Sequence, residues 1–361
     1  MMELIRKRLA EPGGWLRLAV VATVPAALGA AFVFAAGWLS PGRLTPATFM
    51  HTFLVTSGAQ PGFRRNHAKG VCVTGWFDGN VETASFSRAA LFTSMRSPVV
   101  GRFALAGGMP YQDDTPGTVR SLALRIMPAH GGEWRMGIND IPVFPAPDAA
   151  TFNALLLASW PDSRTGKPDP TRMAAFLVQH PETKRALALI SSRRLTSGFA
   201  DDTYNSLDSF TFVNAQGIAT PVRWAMVPEQ KDHPPAPQEK GPDYLFNDLI
   251  TAIGQGALHW HLIVTLGNPG DPTADPALPW SGPHRQLDAG TLTLTAAQSE
   301  DGGPCTGITY DPLVLPDGIA PSDDPIPAAR SAVYSRSFTL RSGEIKPASA
   351  ITPADVNPGA Q

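Results

Sequence analysis

The chain has 361 residues, 43% of them hydrophobic, and a net charge of -2, which allows one sizeable core and excludes a globally basic nucleic-acid binder. Its 36 prolines and 33 glycines are spread along the whole length, a pattern of short strands, turns and ordered loops that argues against long regular helix.

In chain order, residues 1–17 carry Arg6, Lys7, Arg8 and Arg17 against Glu3 and Glu11, and Leu18 to Trp38 follows as 21 residues without a charge. Such a run is long enough to cross a bilayer, and Trp15 and Trp38 bracket it as interface residues would. The positive-inside tendency keeps residues 1–17 cytoplasmic. The expectation is a single-pass inner-membrane protein with a periplasmic domain. The alternative is a signal peptide cleaved near Val33-Phe34-Ala35, with secretion to the periplasm.

Residues 39–60 read as a linker. Alternation around Val71, Val73, Trp76 and Phe77 predicts a strand over 68–80, and Val119, Leu122, Leu124 and Ile126 predict another over 118–127. Helical spacing marks 148–158 and 170–178, with Asp148 and Asp169 as N-caps. Strands are expected over 209–213 and 222–227, joined through the turn Asn214-Ala215-Gln216-Gly217. A polar, proline-rich loop fills 228–243, a helix 244–258, and late strands 259–266 and 290–297 flank a further proline-rich connection. No internal repeat is present, and the pattern is that of an antiparallel β core with inserted helices. Cys72 and Cys305 are the only cysteines; spacing leaves open whether they pair or are buried separately, and no Cys/His zinc spacing exists.

Three residues attract notice without being decisive singly. His67 precedes the first strand, Asn139 sits in a turn leading into a short extended segment, and Tyr334 lies four residues after Arg330, one helical turn away. Each alone fits an ordinary structural role.

Together their surroundings resemble the catalase superfamily, and more closely its small, membrane-anchored or exported catalase-related peroxidases. Arg64-x-x-His67-Ala68-Lys69-Gly70 resembles the distal-histidine motif, and Arg102-Phe103 with Gly117-Thr118-Val119-Arg120 the next block. Gly137-x-Asn139-Asp140-x-Pro142-Val143-Phe144 resembles the distal-asparagine segment, with Phe152 at a pocket-aromatic position. Tyr310-Asp311-Pro312, Leu315-Pro316-x-Gly318-Ile319, Ser322-x-Asp324, Arg330-x-x-x-Tyr334 and Arg341 follow in the order of the proximal block, so the resemblance runs from Phe63 to Arg341.

The resemblance implies an α+β fold: a catalase-like antiparallel β-barrel with inserted and flanking helices, preceded by one transmembrane helix. It implies a haem-binding domain over 61–345, a tail over 346–361, and haem b as cofactor. Tyr334 would be the axial iron ligand, held anionic by Arg330. His67 would move the peroxide proton and Asn139 orient the peroxide. Arg64, Arg102 and Arg341 would bind the haem propionates, with Phe144 and Phe152 lining the pocket.

The implied activity is peroxide reduction, of hydrogen peroxide or organic hydroperoxides, with a small organic electron donor and weak catalase activity at most. Rearrangement of fatty-acid hydroperoxides and a non-enzymatic haem-binding or sensing role are the alternatives. Implied partners are peroxide, the donor and the membrane; dimerisation stays open and no nucleic acid is expected. The chain departs from the family pattern in carrying Ala104 where a serine bonds the distal histidine, so that contact is expected to be missing. It also has Val71 and Cys72 where small residues are usual.

Overall fold

The protein is described from a computed structural model, over residues 14–35, 44–162, 167–235 and 241–356. Residues 1–45 and 46–361 form two separate units. In the first, helix α1 (Gly14–Ala35) contains Pro25 and exposes Val20, Val21, Val24 and Leu28. Among the described residues no helix is long and apolar enough to cross a membrane. The expected anchor over 18–38 is therefore not supported: the described helix reaches only Ala35, and Trp38 lies outside the described residues.

The second unit is built on ten strands: β1 (Gly70–Gly79), β2 (Ser97–Leu105), β3 (Arg120–Ile126), β4 (Trp134–Asn139), β5 (Tyr204–Asn205), β6 (Phe210–Val213), β7 (Ala219–Pro228), β8 (Leu258–Leu266), β9 (Gln286–Gln298) and β10 (Ile319–Pro321). Strands β7-β5-β4-β3-β2-β1-β9-β8 are neighbours in that order, and β8 also pairs with β7. The ring therefore closes into an eight-stranded antiparallel barrel without free edges. Strands β6 and β10 extend it beside β7.

Alternation supplies the barrel core. Phe103, Leu105, Leu122, Leu124, Trp134, Met136 and Ile138 of β2–β4 all turn inward against Trp224, Trp260 and Phe246, while Arg102, Ala123 and Gly137 alternate with them and face out. The helices are α2 (Pro46–Ser57), α3 (Ala149–Ala158), α4 (Pro170–Gln179), α5 (Pro181–Ser191), α6 (Tyr244–Gln255), α7 (Ile326–Ser342) and α8 (Pro353–Val356). Asp148 and Asp169 cap α3 and α4 through Thr151 N and Thr171 N, as the sequence predicts. The expected linker 39–60 contains α2, which packs on α7. Long helix does occur, at 22 residues in α1 and 17 in α7.

Cys72 and Cys305 form a disulfide, closing a separation of 233 residues. The double substitution Cys72→Ser/Cys305→Ser is expected to lower unfolding free energy by about 3–5 kcal/mol, read in urea denaturation as a reduced midpoint with a steeper slope, since the unfolded chain without the cross-link exposes more surface.

Candidate active site

Register assembles one wall of the site. Ala104 of β2, Ser121 of β3 and Asn139 of β4 stand opposite one another, and Arg102, Ala123 and Gly137 form the neighbouring row. Directly paired residues of an antiparallel sheet share a face, so both rows present their side chains outside the barrel. Alanine and glycine in the second row make the surface flat. A Cβ at Gly137 would stand 2.8 Å from Arg330 Nη2 and 3.6 Å from Tyr334 Oη, so the close approach of α7 needs glycine there. Asn139 ends a strand; the expected turn begins only after it.

Helix α7 supplies another wall. Ile326, Ala329, Arg330, Val333, Tyr334, Ser337, Phe338 and Arg341 all line one cleft. Their spacing of three and four residues is that of a single helical face. Phe49, Met50 and Phe53 of α2 close the cleft with Phe144 and Phe152, whose rings lie 4.9 Å apart. The cleft has a volume of about 160 Å³.

All nine residues singled out from the sequence line this cleft: His67, Asn139, Arg64, Arg102, Phe144, Phe152, Arg330, Tyr334 and Arg341. His67 has a left-handed backbone, φ 55°, a costly geometry for a side chain with a Cβ. Asn66 holds it there, its Oδ1 accepting from His67 N at 3.0 Å and from Gly107 N at 2.9 Å. Burial, followed by the fields of Arg102, Arg330 and Arg64, pushes the imidazole pKa down to about 3, so the ring is neutral.

The hydroxyl contact expected to be missing is present, supplied by the neighbouring strand. Ser121 Oγ lies 3.0 Å from His67 Nδ1 and donates its single proton to Ala104 O at 3.3 Å. With its proton on Ala104 O the hydroxyl accepts from His67 Nδ1–H, which leaves the lone pair on Nε2. In that arrangement the ring is a proton acceptor on the cleft side.

Three guanidiniums gather at the other end. Arg102 is paired in bidentate fashion with buried Glu300, at 2.8 and 2.9 Å. Arg64 donates to Cys305 O and Ile308 O, and Arg341 to Thr306 O and Ile308 O. The disulfide to Cys72 thus fixes the segment that orients two of the three arginines. Burial, then Arg102 and Arg341, bring Arg64 down to about 9; its Nε makes no hydrogen bond to the protein and lies 4.0 Å from Glu300 Oε1. Burial alone would raise the Glu300 pKa, but the arginines outweigh it and hold the carboxylate below its usual range. One carboxylate against three cations leaves this end of the cleft suited to an anion.

On α7, Arg330 Nη2 donates to Tyr334 Oη at 3.1 Å and to Gly137 O at 2.8 Å, while Nη1 donates to Asp208 Oδ2 at 2.6 Å. Burial would lower the arginine's pKa, but Tyr334 and Asp208 raise it further. Sequence reasoning missed Ser121, Asp208 and Glu300. Only Ser121 carried a usable signal, through its placement opposite Ala104.

A family model described as Catalase matches residues 61–346. The chain belongs to the catalase family. A catalase-related peroxidase of Synechococcus elongatus is 37% identical over 91% of this chain and 96% of its own length. One of Mycolicibacterium paratuberculosis is 31% identical, over 84% and 96%. The catalase of Sus scrofa is 26% identical over 77% of this chain, which spans 56% of that protein. A fungal catalase structure superposes with a TM-score of 0.70 at 19% identity, covering 78% of this chain and 59% of that one. Catalase folds hold haem, and the donors just described fit it: a phenol paired with a cation, a flat wall, and an anion seat with a free guanidinium N–H.

Two outcomes follow for this wall. Between pH 6.5 and about 3 the unfolded chain binds a proton at His67 that the folded chain does not. Stability from this group is therefore complete above pH 6.5 and lost as pH falls toward 3. Urea midpoints measured from pH 8 to 4 should decline less steeply in His67→Gln than in the parent. In Ser121→Ala the fixed tautomer should disappear, seen as averaged ¹⁵N shifts of the His67 ring by NMR; unchanged shifts would show that the hydroxyl does not set it.

Proposed function

We propose that the chain is a haem-dependent peroxidase, reducing hydrogen peroxide or organic hydroperoxides at the expense of a small organic electron donor, with haem b as cofactor. The observation that carries this reading is the convergence of His67, Asn139, Tyr334 and a surplus of guanidiniums on one apolar cleft. Tyr334 would hold the iron, with Arg64 and Arg341 at the propionates; Arg102, already paired with Glu300, would act there by positioning. When bound, haem supplies an iron centre that accepts peroxide and stores two oxidising equivalents for the donor.

The chain's own residues handle protons and orientation. His67, neutral and with Nε2 free to accept, takes a proton from the incoming peroxide and returns it to the departing oxygen, so that water or an alcohol leaves. Asn139 presents an amide to the peroxide; its Oδ1 is buried and unpartnered among the protein atoms, so the side chain is not tied into the fold through that oxygen. Arg330 donates to the Tyr334 oxygen and orients it.

The cleft favours organic molecules over water. Phe49, Met50, Phe53, Phe152 and Phe338 line it, an apolar surface that shelters a carbon-rich hydroperoxide or donor. The disulfide supports an oxidising, extracytoplasmic compartment.

Purified protein titrated with hemin should take up one equivalent and give the absorption of a phenolate-ligated ferric haem, lost in Tyr334→Phe. His67→Ala should bind hemin as the parent does while dye oxidation by peroxide falls on the order of 10³-fold. Oxygen evolution from hydrogen peroxide should be slow beside dye oxidation; the reverse ratio would make the protein a catalase.

A further inference from the structure

Gly137 and Arg330, which line the cleft, also line a second and much smaller cavity. Its walls include Gly137, Ser206, Asp208, Phe210, Trp224 and Arg330, and its volume is about 10 Å³. That is room for one water molecule and for nothing larger. Two of the residues lining it carry buried polar atoms with no partner among the protein atoms: Asp208 Oδ1 and Trp224 Nε1.

The chemistry of the two atoms is complementary. The indole nitrogen only donates and an ionised carboxylate only accepts. A water between them would accept from the first and donate to the second, meeting both needs with one molecule. Empty protein cavities are apolar, and buried polar groups left unpaired cost about 1–3 kcal/mol each. Asp208 is also fully buried, and its other oxygen is held 2.6 Å from Arg330 Nη1.

We propose that this cavity is a water site bridging Trp224 to Asp208, and that Asp208, so completed, is the positioning residue that holds Arg330 against Tyr334. The site rests on the cavity and its two unpaired atoms; its consequence for Tyr334 rests on the haem reading given above. Asp208 touches neither the cleft nor Tyr334. It acts through the guanidinium, whose Nη1 it fixes while Nη2 reaches the phenol oxygen. Without that anchor the arginine keeps only Gly137 O and the phenol as partners, and its aim is no longer set from behind.

The test uses the full chain, with and without hemin. A crystal structure at a resolution that shows ordered water should contain one molecule within hydrogen-bond distance of both Asp208 Oδ1 and Trp224 Nε1, in either state. Asp208→Asn keeps the shape and removes the charge; loaded with hemin, it should displace the phenolate-to-iron absorption band while hemin still binds. Tyr334→Phe serves as the reference. If that variant leaves the spectrum unchanged, the haem reading fails and the water site still stands or falls by the crystal structure. If Tyr334→Phe abolishes the band but Asp208→Asn leaves it where it was, the positioning role is wrong. A dry cavity removes the water.

Discussion

The register of β2, β3 and β4 is the constraint on which the rest depends. It sets Ala104, Ser121 and Asn139 in one row and Arg102, Ala123 and Gly137 in the next. The residues between them, Phe103, Leu122 and Ile138, fill the barrel. Side chains alternate with a period of two, so a slip of one residue would carry polar residues into the core and phenylalanine and leucine into the cleft. The hydrophobic core and the site are therefore two faces of one decision. Closure of the barrel enforces it, because each strand is paired on both sides and cannot slip alone.

Charge is the second organising element, and it is arranged in two separate places. Around Glu300 the cations outnumber the anions, and the surplus is held in position by backbone carbonyls of residues 305–308. Carbonyl dipoles stabilise a guanidinium without neutralising it, which preserves an attraction for an incoming anion. At Arg330 the balance differs: a buried carboxylate, Asp208, meets the cation directly. Such a pair adds little net stability when both charges are desolvated, but removing either partner is costly. One cluster is built to receive charge and the other to keep geometry.

Much of this was legible in the sequence, for reasons that differ by element. Strands β1 and β3, helices α3 and α4 and the β6–β7 hairpin announced themselves through period and caps, since Asp148, Asp169 and the Asn214–Gly217 turn act locally. Strands β2 and β4 lacked an isolated signal because Pro98, Gly101 and Gly137 interrupt their alternation. Helix α2 was hidden in a stretch that reads as a linker. His67, Asn139 and Tyr334 were found by their surrounding motifs. Glu300, 198 residues from its partner Arg102, and Asp208, 122 residues from Arg330, have no local pattern at all. Ser121 lies between. Loss of a hydroxyl at Ala104 was visible, but its replacement required knowing that residue 121 stands opposite.

That replacement shows how the site tolerates change. What the imidazole needs is an acceptor at Nδ1, and the sheet offers two adjacent positions on the same face from which an oxygen can reach it. A serine on β2 and a serine on β3 satisfy the same requirement, because cross-strand neighbours sit about 5 Å apart. The strained backbone at His67, held by Asn66, fixes where the ring must be. Function therefore constrains the position of an oxygen atom, and the fold leaves open which strand delivers it.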